Sequence, residues 1–298
     1  MKYPYLLAAF ASEFWAMEET KLLAIVDFLA MQAEGHKFTA QEIEARISPA
    51  TASAVARKDG AVAVVPLRGI ISPRASVVEN SSTGGGATAE GFASTIDRMA
   101  DDDAVKAIIV DADTPGGNVL GVDEASAAVA AAKERKPVIV QVTGNLASAG
   151  YWIGCSASEI VMSPSSAAGA IGVRTAYDDV TEALAKSGVS REIIAAGKFK
   201  GEGLLGPLSD DTRTYMQGRI DEYYGMFVDR VAAGRDVATS AVRDGFGQGR
   251  MLGAKAAVRE KMADRIATMK ETLARFGAGG PAPRRFAPER EKRALALI

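Results

Sequence analysis

A chain of 298 residues with 48% hydrophobic side chains has material for one large core with short additions, which sets it apart from disordered and fibrous sequences. A formal net charge of −2 and a pI near 5.7 exclude the global basic field that recruits nucleic acid or anionic lipid, so partners must be recognised at local sites. One cysteine, Cys155, excludes an internal disulfide and fits a reducing, cytoplasmic setting, and the lone histidine, His36, sits in a Gly35-His36-Lys37 turn.

In chain order, the apolar stretch Leu6-Leu7-Ala8-Ala9-Phe10-Ala11 is far short of the roughly 20 residues of a spanning helix. With only Lys2 as a basic flank it is also a poor signal peptide, so neither a membrane anchor nor secretion is expected. Leu22, Leu23, Val26, Leu29 and Ala33 recur at helical spacing over residues 18–34, and Thr39-Ala40-Gln41-Glu42 opens a second short helix that Ser48-Pro49 stops. Residues 1–60 hold six Lys or Arg against eight Asp or Glu, which argues against a DNA-reading helix pair and for a docking or packing segment.

From residue 61 the pattern changes. Apolar runs at 61–67, 107–111, 138–142 and 160–162 alternate with helical stretches at 89–100, 122–135 and 177–187 and a small-residue helix after Ser148. Continuous apolar strands separated by helices predict an α/β fold whose sheet is mostly parallel and covered on both faces. Ligands in such folds bind at the carboxyl ends of strands. The run Ser81-Ser82-Thr83-Gly84-Gly85-Gly86 lacks the Lys-Ser/Thr of a phosphate loop and reads as a surface loop. Beyond residue 276 a Gly/Pro-rich linker leads into an arginine-rich tail. The expected division is a helical segment at 1–58, a catalytic α/β domain at 59–270 and a flexible basic tail at 271–298.

Two strand ends carry chemistry. The run Val138-Ile139-Val140-Gln141-Val142 is followed by Asn145-Leu146-Ala147-Ser148-Ala149-Gly150-Tyr151-Trp152, a tight turn into a helix. It puts Ser148 at a helix N-terminus, where backbone N–H groups point outward and stabilise a developing oxyanion. The preceding strand ends in Asp113-Thr114-Pro115-Gly116-Gly117-Asn118, where paired glycines let backbone N–H groups approach a ligand. The N–H groups of Gly117 and Ala149 then form a candidate oxyanion hole, with Gly116 the less favoured alternative to Gly117. Because His36 lies in a segment separate from this body, a lysine base is more economical than a Ser-His-Asp arrangement.

These motifs, together with Gly169-Ala170-Ile171-Gly172-Val173, Gly197-Lys198-Phe199-Lys200-Gly201 and Gly249-Arg250-Met251-Leu252-Gly253-Ala254, resemble the signal peptide peptidase A family of serine peptidases within the ClpP/crotonase superfamily. The resemblance runs from about Val64 to Asp264. It implies repeated β-β-α spiral units, Ser148 as nucleophile, Lys200 as general base, and no metal or cofactor. Lys198 competes with Lys200 on the residues alone, and only the motif selects Lys200. A lysine at its reference pKa of about 10.4 is protonated, so a base role requires burial or nearby positive charge. Three departures stand out: Thr114 where the family has Ser, Ala149 where it has Gly, and Ala170 where it has a Ser that can lie near the lysine. Ser165 and Ser166 are candidate substitutes for that hydroxyl.

The acidic segment ahead of a single peptidase domain resembles the tailed-phage branch, which implies capsid scaffold or portal proteins as substrates, a homo-oligomeric ring, and the host cytoplasm or procapsid as location. Two alternatives remain at this point: an assembly protein of the same fold with an idle dyad, and an acyl-CoA enzyme of the crotonase type, for which Asp113, Asp123 and Glu124 are the nearby carboxylates.

Overall fold

β-Branched runs flanked by helix formers build the centre of the molecule. In the computed structural model, which describes residues 14–18, 57–74, 86–203 and 205–278, strands β3 (Val62–Arg68), β4 (Ala107–Thr114), β6 (Val138–Ala147) and β7 (Glu159–Met162) lie parallel and adjacent. β2 (Arg57–Asp59) adds antiparallel to β3, and β10 (Arg265–Ile266) adds parallel to β7, giving the order β10-β7-β6-β4-β3-β2. The distal half of β6 pairs with β8 (Ala167–Gly169), which takes β9 (Met251–Gly253) on its other edge. Separately, β1 (Trp15–Met17) pairs antiparallel with β5 (Gly116–Asn118). This is the α/β class with a mostly parallel sheet that the alternation predicts.

Alternate residues of each strand enter two cores. Val65, Val110, Val140 and Met162 point to the face covered by α1 (Ala89–Asp101), α2 (Val122–Lys133), α3 (Ala149–Gly154) and α5 (Asp210–Arg235), while Val64, Ile109, Ile139 and Val161 face α8 (Met269–Ala274) and the chain to Ala278. Thr88 caps α1 by accepting from the Gly91 N–H at 3.1 Å, and the helix buries Ala89, Phe92, Ile96 and Ala100 at helical spacing. The second face is held partly by polar groups. Buried Gln141 donates to the Ala267 carbonyl at 3.0 Å and accepts from Thr272 Oγ1 at 2.6 Å, tying α8 to the sheet. A capping box between Thr268 and Glu271 starts α8.

Several elements differ from their expected extents. The helix expected over 177–187 is the single turn and a half of α4 (Thr181–Lys186), because Asp179 accepts from the Thr181 N–H at 3.0 Å and sets the start there. The longest helix among the described residues, α5, has no counterpart in the expectations; its buried apolar residues, Phe227, Val228, Val231 and Ala232, all lie in its last turns. Phe227 stacks on Trp152 of α3 at 4.7 Å, and Arg230 grips Asp123 of α2 at 2.9 Å. The helices expected over 18–34 and 39–47 lie, but for Glu18, outside the described residues, as do His36, residues 81–85 and the tail from residue 279. Residues 15–17 of the expected helical segment are extended. Among the described residues no helix is long and apolar enough to cross a membrane.

Gly234 and Gly218 lie on one helix in opposite environments. A Cβ on Gly234 would stand 2.3 Å from the Cys155 carbonyl oxygen, whereas nothing lies within 4 Å of one on Gly218. Gly234→Ala is expected to destabilise the fold by about 1–3 kcal/mol, and Gly218→Ala to stabilise it by about 0.5–1 kcal/mol, both read by urea unfolding. Cys155, fully buried behind α3, has its thiol pushed up to about 12 by desolvation. At pH 8 it carries almost no thiolate. Alkylation by iodoacetamide is therefore expected only after denaturation, and fast modification of the folded chain contradicts that burial.

Candidate active site

The site is assembled where β4 and β6 end side by side. β6 runs through Ala147 into Ser148, whose backbone takes φ 51 and ψ −116 before α3 begins at Ala149. A side chain is rarely found in that conformation, and such strain concentrates at functional turns. The surroundings hold it: the Ser148 N–H donates to the Gly169 carbonyl of β8 at 2.8 Å, and the Ser148 carbonyl accepts from Trp152 N–H at 2.9 Å. Ser148 is 1% exposed, and among the described residues no hydrogen bond engages its hydroxyl. Ala149, fully buried, is the first residue of α3, so its N–H has no acceptor within the helix.

β4 ends at Thr114, whose hydroxyl donates to the Gly69 carbonyl at 2.6 Å and accepts from the Gly116 N–H at 3.1 Å. A threonine thus performs the tethering that a serine could, and its methyl rests where a Cβ on Gly150 would collide, 2.3 Å away. The same bond decides between the two glycines. The Gly116 N–H is engaged by Thr114, and the Gly116 carbonyl and Asn118 N–H are engaged by Ile71 at 2.9 Å each, which turns the Gly117 N–H to the opposite edge. Side chains are excluded at both glycines: a Cβ on Gly117 would stand 1.8 Å from the Ile71 carbonyl oxygen, and one on Gly116, at φ 96, would stand 2.9 Å from Ser148 Cβ.

Lys200 is placed elsewhere. It lies on an exposed turn over 197–202, its N–H bonded to the Gly197 carbonyl at 3.0 Å, and no hydrogen bond joins it to Ser148. Lys198, beside it, lies over the Phe199 ring at 4.6 Å. The segment bearing both is thinly packed, with Ile194 92% and Phe199 54% exposed. The structure therefore brings together Ser148, Ala149 and Gly117 and leaves Lys200 apart from them. Ala170 has a positive φ of 53 and is fixed by its N–H to the Arg250 carbonyl at 3.1 Å. Neither candidate hydroxyl replaces the missing serine: Ser166 Oγ is committed to the Ser163 carbonyl at 2.8 Å, and Ser165 is exposed.

The carboxylates that an acyl-CoA enzyme would need are occupied or remote. Asp123 is held by Arg230 and lies 3.3 Å from Trp152 Nε1, Asp113 accepts from the Asn145 N–H at 3.0 Å, and Glu124 is exposed on α2. A cleft of about 460 Å³ opens beside the site, lined by Met17, Ala170, Val173, Arg174 and Arg250 among others. Sequence reasoning did not anticipate that β1 forms one of its walls; three residues with no alternation carry no strand signal.

The chain is similar in sequence to known proteins. The profile of peptidase family S49 matches residues 130–279, which include Ser148 and Lys200. The capsid assembly protease C of Escherichia phage lambda is 29% identical over 227 residues, 74% of this chain and 51% of that protein. Protease 4 of Salmonella typhi is 28% identical over 69% of this chain and 33% of its own length, and the head-tail preconnector protein GP5 of Enterobacteria phage P21 is 26% identical over 61% and 36%. The chain thus spans about half the length of these relatives or less. Among solved structures, a membrane-bound stomatin-specific protease superposes with a TM-score of 0.46 at 18% identity, covering 73% of this chain and 85% of that one. The family profile accounts for half of the sequence, including the turn at Ser148, and the chain belongs to the serine peptidase family S49.

Proposed function

We propose that the chain is a serine endopeptidase that cleaves through an acyl-enzyme on Ser148. One observation supports this most directly: the strained turn at Ser148 puts a buried serine at the first amide of α3 and against the glycine strand of Gly116 and Gly117, whose amide faces the edge on which an extended peptide lies. Ser148 Oγ attacks the peptide carbonyl, Lys200 takes its proton and passes it to the leaving amine, and water then releases the acyl group.

Lys200 must first reach Ser148, and the reading gives that task to assembly. The exposed apolar residues Val189 and Ile194 precede the lysine turn and Phe199 lies within it, and burying them in a homo-oligomeric ring would carry Lys200 out of solvent. Whether the lysine then meets the serine of its own protomer or of a neighbour, the isolated protomer is inactive. Substrates are capsid components such as scaffold or portal polypeptides, by analogy with the lambda and P21 proteins, and the work is done in the host cytoplasm or the procapsid. The divisions at residues 58 and 270 are part of this proposal.

A second reading, an assembly protein of the same fold without activity, is favoured by an exposed Lys200 with no hydrogen bond to the buried Ser148 and by Ala170 in place of serine. Co-expression with a candidate scaffold or portal protein separates the two. Processing followed by intact mass is expected in the parent chain, absent in Ser148→Ala, and reduced about 10²–10⁴-fold in Lys200→Ala, with assembly preserved. Processing unchanged in either variant overturns the dyad.

A further inference from the structure

The described N-terminal residues lie in a slot between two backbone edges. On one edge, the Glu18 N–H donates to the Pro115 carbonyl at 2.7 Å and the Val119 N–H donates to the Phe14 carbonyl at 3.3 Å. On the other edge, Trp15 and Arg174 exchange both backbone bonds, at 2.9 and 3.1 Å. Residues 14–18 are therefore held as an extended peptide from both sides, which is how a sheet edge binds a polypeptide ligand.

The register identifies the central group. Bonded pairs alternate with non-bonded ones along an antiparallel ladder. Phe14 with Val119 and Glu18 with Pro115 are bonded pairs, so Ala16 opposite Gly117 is the bonded pair between them, and the Ala16 carbonyl is turned to the Gly117 N–H. That amide is the proposed oxyanion donor. The same carbonyl oxygen and Ser148 Cβ flank one point, lying 2.2 and 2.9 Å from where a Gly116 Cβ would stand. Trp15, Ala16 and Met17 are all buried in this slot, and the open cleft continues beside Met17 and Glu18, on the side that a departing amine would take.

We infer that the chain's own segment Phe14–Glu18 occupies the substrate slot and presents the Ala16–Met17 peptide bond to Ser148, making the chain its own intramolecular substrate. This rests on the peptidase reading above. In the step, a bond forms between Ser148 Oγ and the Ala16 carbonyl carbon and the Ala16–Met17 C–N bond breaks. The hydroxyl proton travels through the Lys200 amine to the Met17 nitrogen. Water then attacks the ester, returning the hydroxyl to Ser148 and leaving a carboxylate on Ala16. The product begins at Met17. The occupant also describes the substrate class: an extended polypeptide with a small residue before the cut, since Ala16 is fully buried against the glycine strand, and a large one before that.

Two readouts on the full chain test this. First, in protein that processes another polypeptide, intact mass is expected to show loss of residues 1–16, with no loss in Ser148→Ala; activity toward other polypeptides with the Ala16–Met17 bond intact, or cutting at another bond, overturns the cleavage. Second, occupancy is read without catalysis, by hydrogen exchange of the peptide spanning residues 114–119 in Ser148→Ala. Adding Ala16→Pro, which removes the N–H facing Gly117, is expected to speed that exchange at least about tenfold, and unchanged exchange overturns the occupancy. Fast exchange in the double variant combined with no processing of any polypeptide would leave the occupied slot standing and count against the peptidase reading instead.

Discussion

The geometry of the site depends on one backbone constraint, the positive-φ turn at Ser148. β6 has to stop, reverse its direction into α3 and do so without room for solvent, because Ala147, Ala149 and Gly150 on either side are fully buried. A residue in the ordinary β or α region would carry the chain past this point. The turn is held by bonds on both sides, from its N–H to β8 and from its carbonyl to the second turn of α3, so the cost of the conformation, about 1–3 kcal/mol, is offset by packing.

The glycine strand beside it obeys a complementary constraint. Ile71 approaches Gly116–Asn118 so closely that a methyl group on Gly117 would overlap its carbonyl, and that closeness is what turns the Gly117 amide outward. Thr114 fixes the start of the strand through one hydroxyl used both as donor and acceptor. The polar groups of the site are thus backbone groups set by two strand ends, which a rigid sheet positions more accurately than side chains on loops. The base is the exception. Lys200 sits on an exposed turn among the described residues, so the serine lies in the frame of the sheet and the lysine outside it.

How much of this was legible in the sequence follows from the size of the elements. The long strands and their helices are readable because β3, β4 and β6 open on the apolar runs 62–65, 107–110 and 138–140, buried on both faces. Ser148, Ala149 and Gly117 could be singled out in the sequence because the first two lie one and two residues past the end of β6 and Gly117 lies three past the end of β4. The three-residue strands β1, β5, β8 and β9 were not, since small residues and glycines give no alternation, and their pairing is decided by partners distant in sequence. Helix α5 escaped because its first half is solvent-facing and apolar spacing appears only near Phe227. Lys200 was selected by motif alone, because a lysine on an exposed turn carries no local signal that distinguishes it from its neighbour Lys198.

The central claim is that Ser148 is a nucleophile activated by Lys200. The most direct measurement is covalent labelling of the assembled full-length protein with a fluorophosphonate, followed by intact mass and peptide mapping. The account predicts one adduct, on Ser148, with labelling strongly slowed in Lys200→Ala. An adduct on a different serine, or none on the assembled protein, would contradict it.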